Sequence, residues 1–153
     1  MADFDLDAFL PYQLAVLSSR ISTAFSTLYQ QKYGITVAEW RMVANLGKDG
    51  KLGVRELHDR VDLEKSKVSR AAAKLERAGY ISKRTNPSDK RLVELELTDK
   101  GRAMIEDLAP LAHRFEQDVF DTLGADAPAF RAAIGRLLAA TPIRAVPSQG
   151  KRG

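Results

Sequence analysis

The 153 residues suffice for one compact domain with a hydrophobic core and leave little room for two. The absence of cysteine excludes disulfides, thiolate metal sites and cysteine-based peroxide sensing. A net charge of +4 and a pI near 9.4 suit a polyanionic partner without saying which one.

No apolar run approaches the roughly 18 residues of a membrane-spanning helix. Asp3, Asp5 and Asp7 stand where a secretory signal would carry basic residues, so a cytoplasmic location is expected. From Phe9 to Tyr33, Leu10, Leu14, Leu17, Ile21, Phe25 and Leu28 recur at helical spacing and predict a long amphipathic helix ending near Gly34. Thr36 and Glu39 have the spacing of a capping box, with Ile35 and Trp40 placed as a hydrophobic staple. A second helix therefore starts at about Val37 and stops before a turn region at Gly47 to Gly53.

Val54 to Val61 reads as a short third helix. Val61-Asp62-Leu63-Glu64 is the turn into a fourth, which ends at Gly79. Ile81 to Thr85 and Arg91 to Leu97 favour strand, the second with Val93, Leu95 and Leu97 alternating with Glu94 and Glu96. Asn86-Pro87-Ser88-Asp89 makes the turn between them. Thr98 is placed to cap a fifth helix that continues past Pro110, with a kink, to about Leu123. A sixth runs from about Pro128 to Ala140 with Phe130, Ile134, Leu137 and Leu138 as its buried stripe. The expected class is mainly α, a winged helix-turn-helix with a two-stranded β-hairpin wing. The winged lobe covers about 36–98, and 146–153 is a flexible basic tail beyond a single domain at 1–145.

Charge placement narrows the partner. Between Glu64 and Arg91 nine basic residues face three acidic ones, a local +6, which leaves 15 positive and 17 negative side chains elsewhere. On the fourth helix Val68, Ala71, Ala72 and Leu75 share one side, while Ser66, Ser69, Arg70, Ala73, Lys74 and Arg77 fall opposite. Arginine bonds guanine through O6 and N7 and serine exchanges hydrogen bonds with bases or phosphates, which is the chemistry of a helix in the major groove. Lys67 and Lys74 sit at the flanks, where phosphates run, Lys65 belongs to the same DNA-binding set, and Lys83, Arg84, Lys90 and Arg91 of the wing reach backbone or minor groove. Asp89 is read both as a turn former and as an orienting partner for a neighbouring arginine.

These residues carry a resemblance: Glu64-Lys65-Ser66-Lys67-Val68-Ser69-Arg70, Leu75-Glu76-Arg77-Ala78-Gly79-Tyr80-Ile81, Asp89-Lys90-Arg91 and Leu97-Thr98-Asp99-Lys100-Gly101. The chain resembles the multiple antibiotic resistance regulator (MarR) family of bacterial transcription factors. The resemblance implies a homodimer, with dimerisation helices at about 8–33 and 99–140, gripping a palindromic operator. The long apolar stripes of the first, fifth and sixth helices independently favour pairing with a second copy. It further implies a repressor released by a small aromatic or anionic effector. Phe9-Leu10-Pro11-Tyr12 followed by Leu17-Ser18-Ser19-Arg20 resembles the branch of this family that controls breakdown of aromatic acids, which implies an aromatic acid or its coenzyme A thioester as effector. Mixed aromatic and cationic residues then become the effector candidates: Tyr12, Ser19, Arg20, Trp40, Arg41 and His113.

Enzymatic chemistry finds no footing. No glycine-rich phosphate loop or nucleophile elbow is present, and His58 and His113 lie in different helices without ligand spacing, so neither metal nor cofactor is expected. The alternative is a winged helix for protein contact, or for non-specific DNA binding without an effector. Such a module would lack salt-sensitive preference for one duplex.

Overall fold

A computed structural model describes residues 3–61, 63–89 and 91–140. Asp62, Lys90 and the expected tail at 146–153 lie outside them. The elements run α1 (Leu10–Tyr33), α2 (Val37–Asp49), β1 (Leu52–Gly53), α3 (Val54–Val61), α4 (Lys65–Arg77), β2 (Ile81–Thr85), β3 (Val93–Leu97), α5 (Asp99–Asp121), a 3-10 turn (Gly124–Asp126) and α6 (Ala127–Ala139). The chain divides into two compact units at Ala112 and His113.

In the first unit, the capping box forms at the start of α2. The Glu39 amide donates to Thr36 Oγ1 at 3.3 Å and the Thr36 amide to Glu39 Oε2 at 2.9 Å. Helix α2 runs beyond the expected stop at Gly47, to Asp49. Gly47 lies inside the helix, facing Ile105 of α5, and a Cβ built on it would make only ordinary contact with that side chain at 3.5 Å. The core gathers Met42, Val43 and Leu46 of α2, Leu57 and Val61 of α3, Val68, Ala71, Ala72 and Leu75 of α4, Leu95 and Leu97 of β3, and Met104 and Leu108 of α5. Burial of such side chains is the main favourable term in folding, at about 25 cal/mol per Å² of apolar surface.

The hairpin pairs Ile81 with Leu97 and Thr85 with Val93. The expected two strands gain a third, because Leu52 and Gly53 pair with Leu95 and Glu94 on the free side of β3, giving the order β1-β3-β2. Strand β3 begins at Val93 rather than Arg91 because Arg91 belongs to the turn. Helix α5 continues through Pro110, and its N-terminus is capped by Thr98, whose Oγ1 accepts from the Gly101 amide at 3.1 Å.

Two stripes differ from expectation. On α1, Ser26 and Tyr29 are the buried residues, Ile21 and Phe25 are half-buried, and Leu10, Leu14, Leu17 and Leu28 are exposed. In the second unit no residue of α6 is buried: Phe130 is half-buried, while Ile134, Leu137 and Leu138 are exposed, Leu138 at 67%.

Candidate nucleic-acid interface

Helix α4 presents two chemically distinct sides. Val68, Ala71, Ala72 and Leu75 are buried, whereas Lys65, Ser66, Lys67, Ser69, Arg70, Lys74 and Arg77 are exposed. The division follows from helical periodicity: the apolar side anchors the helix and the serine and arginine side is left to solvent. Ala73, placed by the wheel on the open side, is half-buried. Lys74 Nζ lies 3.1 Å from Glu39 Oε1, so its charge is engaged with α2.

The C-terminal end of α4 is tied to the start of α5. The Thr98 hydroxyl donates to the Gly79 carbonyl at 2.6 Å, the Thr98 amide to the Tyr80 carbonyl at 3.0 Å, and Lys100 Nζ to the Ala78 carbonyl at 2.7 Å. Lys100 Nζ also sits 4.6 Å from the centroid of the Tyr80 ring. Gly79 itself, with φ 83°, makes the left-handed turn off the helix. The carbonyls of Ala78, Gly79 and Tyr80, just beyond α4, thus find donors at the start of α5, while those of Lys74, Leu75 and Glu76 accept from the amides of Ala78, Tyr80 and Gly79.

In the wing, Asn86 Oδ1 accepts from the amides of Ser88 and Asp89 and shapes the turn. Asp89 fills both roles read for it. Its carbonyl accepts from the Leu92 amide at 2.9 Å, and its Oδ1 accepts from the Arg91 amide and from Arg91 Nε, both at 3.1 Å. Hydrogen bonding from Arg91 holds the Asp89 carboxyl below its ordinary value. Arg91 is 91% exposed and held at the turn by this carboxylate. Arg84 is exposed and approaches Glu96 at 3.9 Å, and the same carboxylate lies 3.6 Å from Lys51. Lys90 lies outside the described residues.

Of the effector candidates in the first unit, Trp40 joins an aromatic cluster. Trp40 stacks on Tyr29 with ring centroids 5.4 Å apart, and Phe25 meets both rings edge-on at 5.5 Å. Burial pushes the Tyr29 hydroxyl above its ordinary value, opposed in part by the charge of Arg41. Tyr12, Ser19 and Arg20 are exposed on α1, with no hydrogen bond or ring contact to Trp40 among the described residues. His113 belongs to the second unit, where it lines a shallow groove with Phe120 and Arg131. There Arg131 lies 4.2 Å from the Phe120 ring centroid and 3.5 Å from Glu116.

Sequence reasoning missed Phe25, Tyr29 and Tyr33 as an aromatic row, although their spacing of four along α1 signals it. It also missed Asp107, whose carboxylate takes the Tyr33 hydroxyl and the Lys32 ammonium, both at 2.6 Å. Among the described residues no three histidine, cysteine, aspartate or glutamate side chains gather to hold a metal ion, and no helix is long and apolar enough to cross a membrane.

A buried-backed basic helix, a charged hairpin wing and a helix-turn-helix in this order define a winged-helix DNA-binding protein. The profile of the MarR family matches residues 35–93. The chain is 32% identical over 101 residues to the HTH-type transcriptional regulator BilQ of Clostridium symbiosum, covering 66% of this chain and 70% of that one. A match to the HTH-type transcriptional repressor MdtR of Bacillus subtilis is 35% identical over 78 residues, covering 51% of this chain but only 50% of that repressor. The crystal structure of the PcaV transcriptional regulator from Streptomyces coelicolor, in complex with its natural ligand, superposes with a TM-score of 0.70 at 26% identity, covering 92% of this chain and 99% of that one. The chain belongs to the MarR family of transcriptional regulators. These relatives are regulators rather than enzymes.

Proposed function

We propose that the protein is a homodimeric, sequence-selective repressor that grips a palindromic operator and leaves it when a small aromatic or anionic effector binds. The observation that carries the DNA reading is the exposed face of α4, where Ser66, Ser69 and Arg70 lie opposite a wholly buried apolar side. Arg70 reads a base edge, Lys65, Lys67 and Arg77 lie along phosphates, and Arg84, Lys90 and Arg91 serve the wing. Lys74 acts mainly by holding α4 to Glu39.

The exposed leucines of α1 and the exposed Ile134, Leu137 and Leu138 of α6 support pairing with a second copy, since faces of that kind are covered in a working assembly. The reading keeps both compact units in one functional module at 1–145, acting in the cytoplasm. Effector release draws its support from PcaV, which was crystallised with a natural ligand, and from the aromatic cluster of Phe25, Tyr29 and Trp40, with the charge of Arg41 felt at Tyr29. An aromatic acid, free or as its coenzyme A thioester, matches that wall and that cation.

The test is an anisotropy titration of the protein into its own upstream DNA and into a scrambled duplex, at two salt concentrations, with and without aromatic acids and their thioesters. Selective binding that one compound reverses is the expected result. Equal weak binding to both duplexes, untouched by any compound, replaces this reading with a protein-contact or non-specific module.

A further inference from the structure

Between the wing and the start of α4 lies a cleft of about 550 Å³, lined by Arg55 and Glu56 of α3, Lys65 of α4, and Asn86, Arg91 and Glu94 of the wing. Its size falls within the range of roughly 300–1,000 Å³ in which proteins hold ligands. Three of these side chains are cations from three different elements. Arg55 and Lys65 are exposed and have no ion-pair or hydrogen-bonding partner among the described residues, and Asp89 fixes the direction of Arg91. The two carboxylates, Glu56 and Glu94, leave the lining with a net +1.

Duplex geometry says what passes there. A helix in the major groove and a wing in the adjacent minor groove must straddle the sugar-phosphate strand that separates the two grooves. The floor between them is this cleft. We propose that the cleft is a backbone-phosphate subsite, in which Arg55, Lys65 and Arg91 together hold one phosphodiester, and that Arg55 is a DNA-contacting residue. The proposal rests on the DNA-binding reading above. Glu56, the carboxylate next to Arg55, opposes the same phosphate and moderates its affinity.

The experiment uses the full-length protein and the duplex that wild type prefers. A series of duplexes carries one neutral methylphosphonate at successive backbone positions, and each is titrated with wild type, Arg55→Gln, Arg55→Lys and Glu56→Gln after a thermal melt shows each variant folded. Arg55→Gln is expected to bind natural DNA five- to tenfold more weakly at 0.1 M salt, on selective and scrambled sequences alike, with the salt slope reduced by about 0.9. One methylphosphonate position should weaken wild type and Arg55→Lys clearly more than Arg55→Gln, which keeps only Lys65 and Arg91 on that phosphate. Glu56→Gln should bind two- to fivefold more tightly. Arg55→Gln with wild-type affinity and slope overturns the subsite, as does a loss equally large at every methylphosphonate position. Failure of wild type to bind any duplex is a different result, which removes the DNA-binding reading itself. Equal competition by millimolar inorganic phosphate for wild type and Arg55→Gln also counts against the subsite.

Discussion

Lys74 Nζ lies 3.1 Å from Oε1 of Glu39, a carboxylate whose side chain is only 4% exposed. A cation of α4 is thereby engaged with the first turn of α2, where Glu39 also closes the capping box with Thr36. Buried carboxylates are costly when a partner is withdrawn. Lys74→Met is expected to lower stability by about 1–2 kcal/mol in urea unfolding. The salt slope of DNA binding should stay at the wild-type value, and a fall of one unit would put Lys74 on a phosphate instead.

A Cβ built on Gly101 comes 2.2 Å from the Tyr80 carbonyl oxygen, closer than any real contact, and backbone cannot swing aside as a flexible side chain would. Gly101→Ala should therefore push α5 away from the end of α4 and cost about 2–3 kcal/mol. Gly135→Ala, where nothing lies within 4 Å, is the control and should be neutral or slightly stabilising. Comparable melting temperatures for the two variants would mean that the α4–α5 junction yields easily.

Tyr33 and Asp107 set a pH signature. Burial, followed by the hydrogen bond and charge of Asp107, pushes the Tyr33 hydroxyl up to about 12. The Lys32 ammonium, followed by the Tyr33 hydroxyl, holds the Asp107 carboxyl below its ordinary value. A depressed carboxyl contributes stability that is complete above its unfolded value near 4 and is lost as pH falls through the lowered folded value. A raised phenol contributes stability that is complete below about 10 and is lost as pH climbs toward 12. Tyr33→Phe should therefore melt a few degrees below wild type between about pH 5 and 9, with the gap narrowing at both extremes. Melting curves across that range test it, and a gap independent of pH would exclude the pair as its source.

Two arginines should separate by the kind of loss they cause. Arg70→Ala is expected to cost about 1–3 kcal/mol on the preferred site and to relax selectivity at one base pair. Arg91→Ala should weaken all sequences alike and lower the salt slope by about one. Titrations on the preferred duplex and its single-base variants distinguish them. A uniform loss for Arg70→Ala places it on the backbone.

The helices were legible because their periodicity is strong and their ends carry chemistry: Thr36 with Glu39, Thr98 and Gly79 all do what their residue types predict. The third strand was not, since Leu52 and Gly53 are too few to show a period and owe their conformation to the open side of β3. The α1 stripe reads correctly as apolar, but which of its sides is buried depends on where Trp40 stands, and the sequence of α1 does not contain that. For the same reason Arg55 escaped notice, because its neighbours Lys65 and Arg91 join it only after the wing lies beside α3. The effector candidates were chosen by residue type, and Trp40 alone joins an aromatic group, in company with residues of α1 that type-based choice passed over.

Because β3 is the central strand and β1 spans two residues, β2 is the longer of the sheet's two edge strands, with no further strand beside it among the described residues. Such edges invite strand addition by another chain, and charged side chains are a common defence against it. Lys83 and Arg84 occupy that edge, with Arg84 exposed. The same cations that suit a polyanion thus also discourage self-assembly, so neutralising them exposes an aggregation-prone border as well as weakening the wing's field.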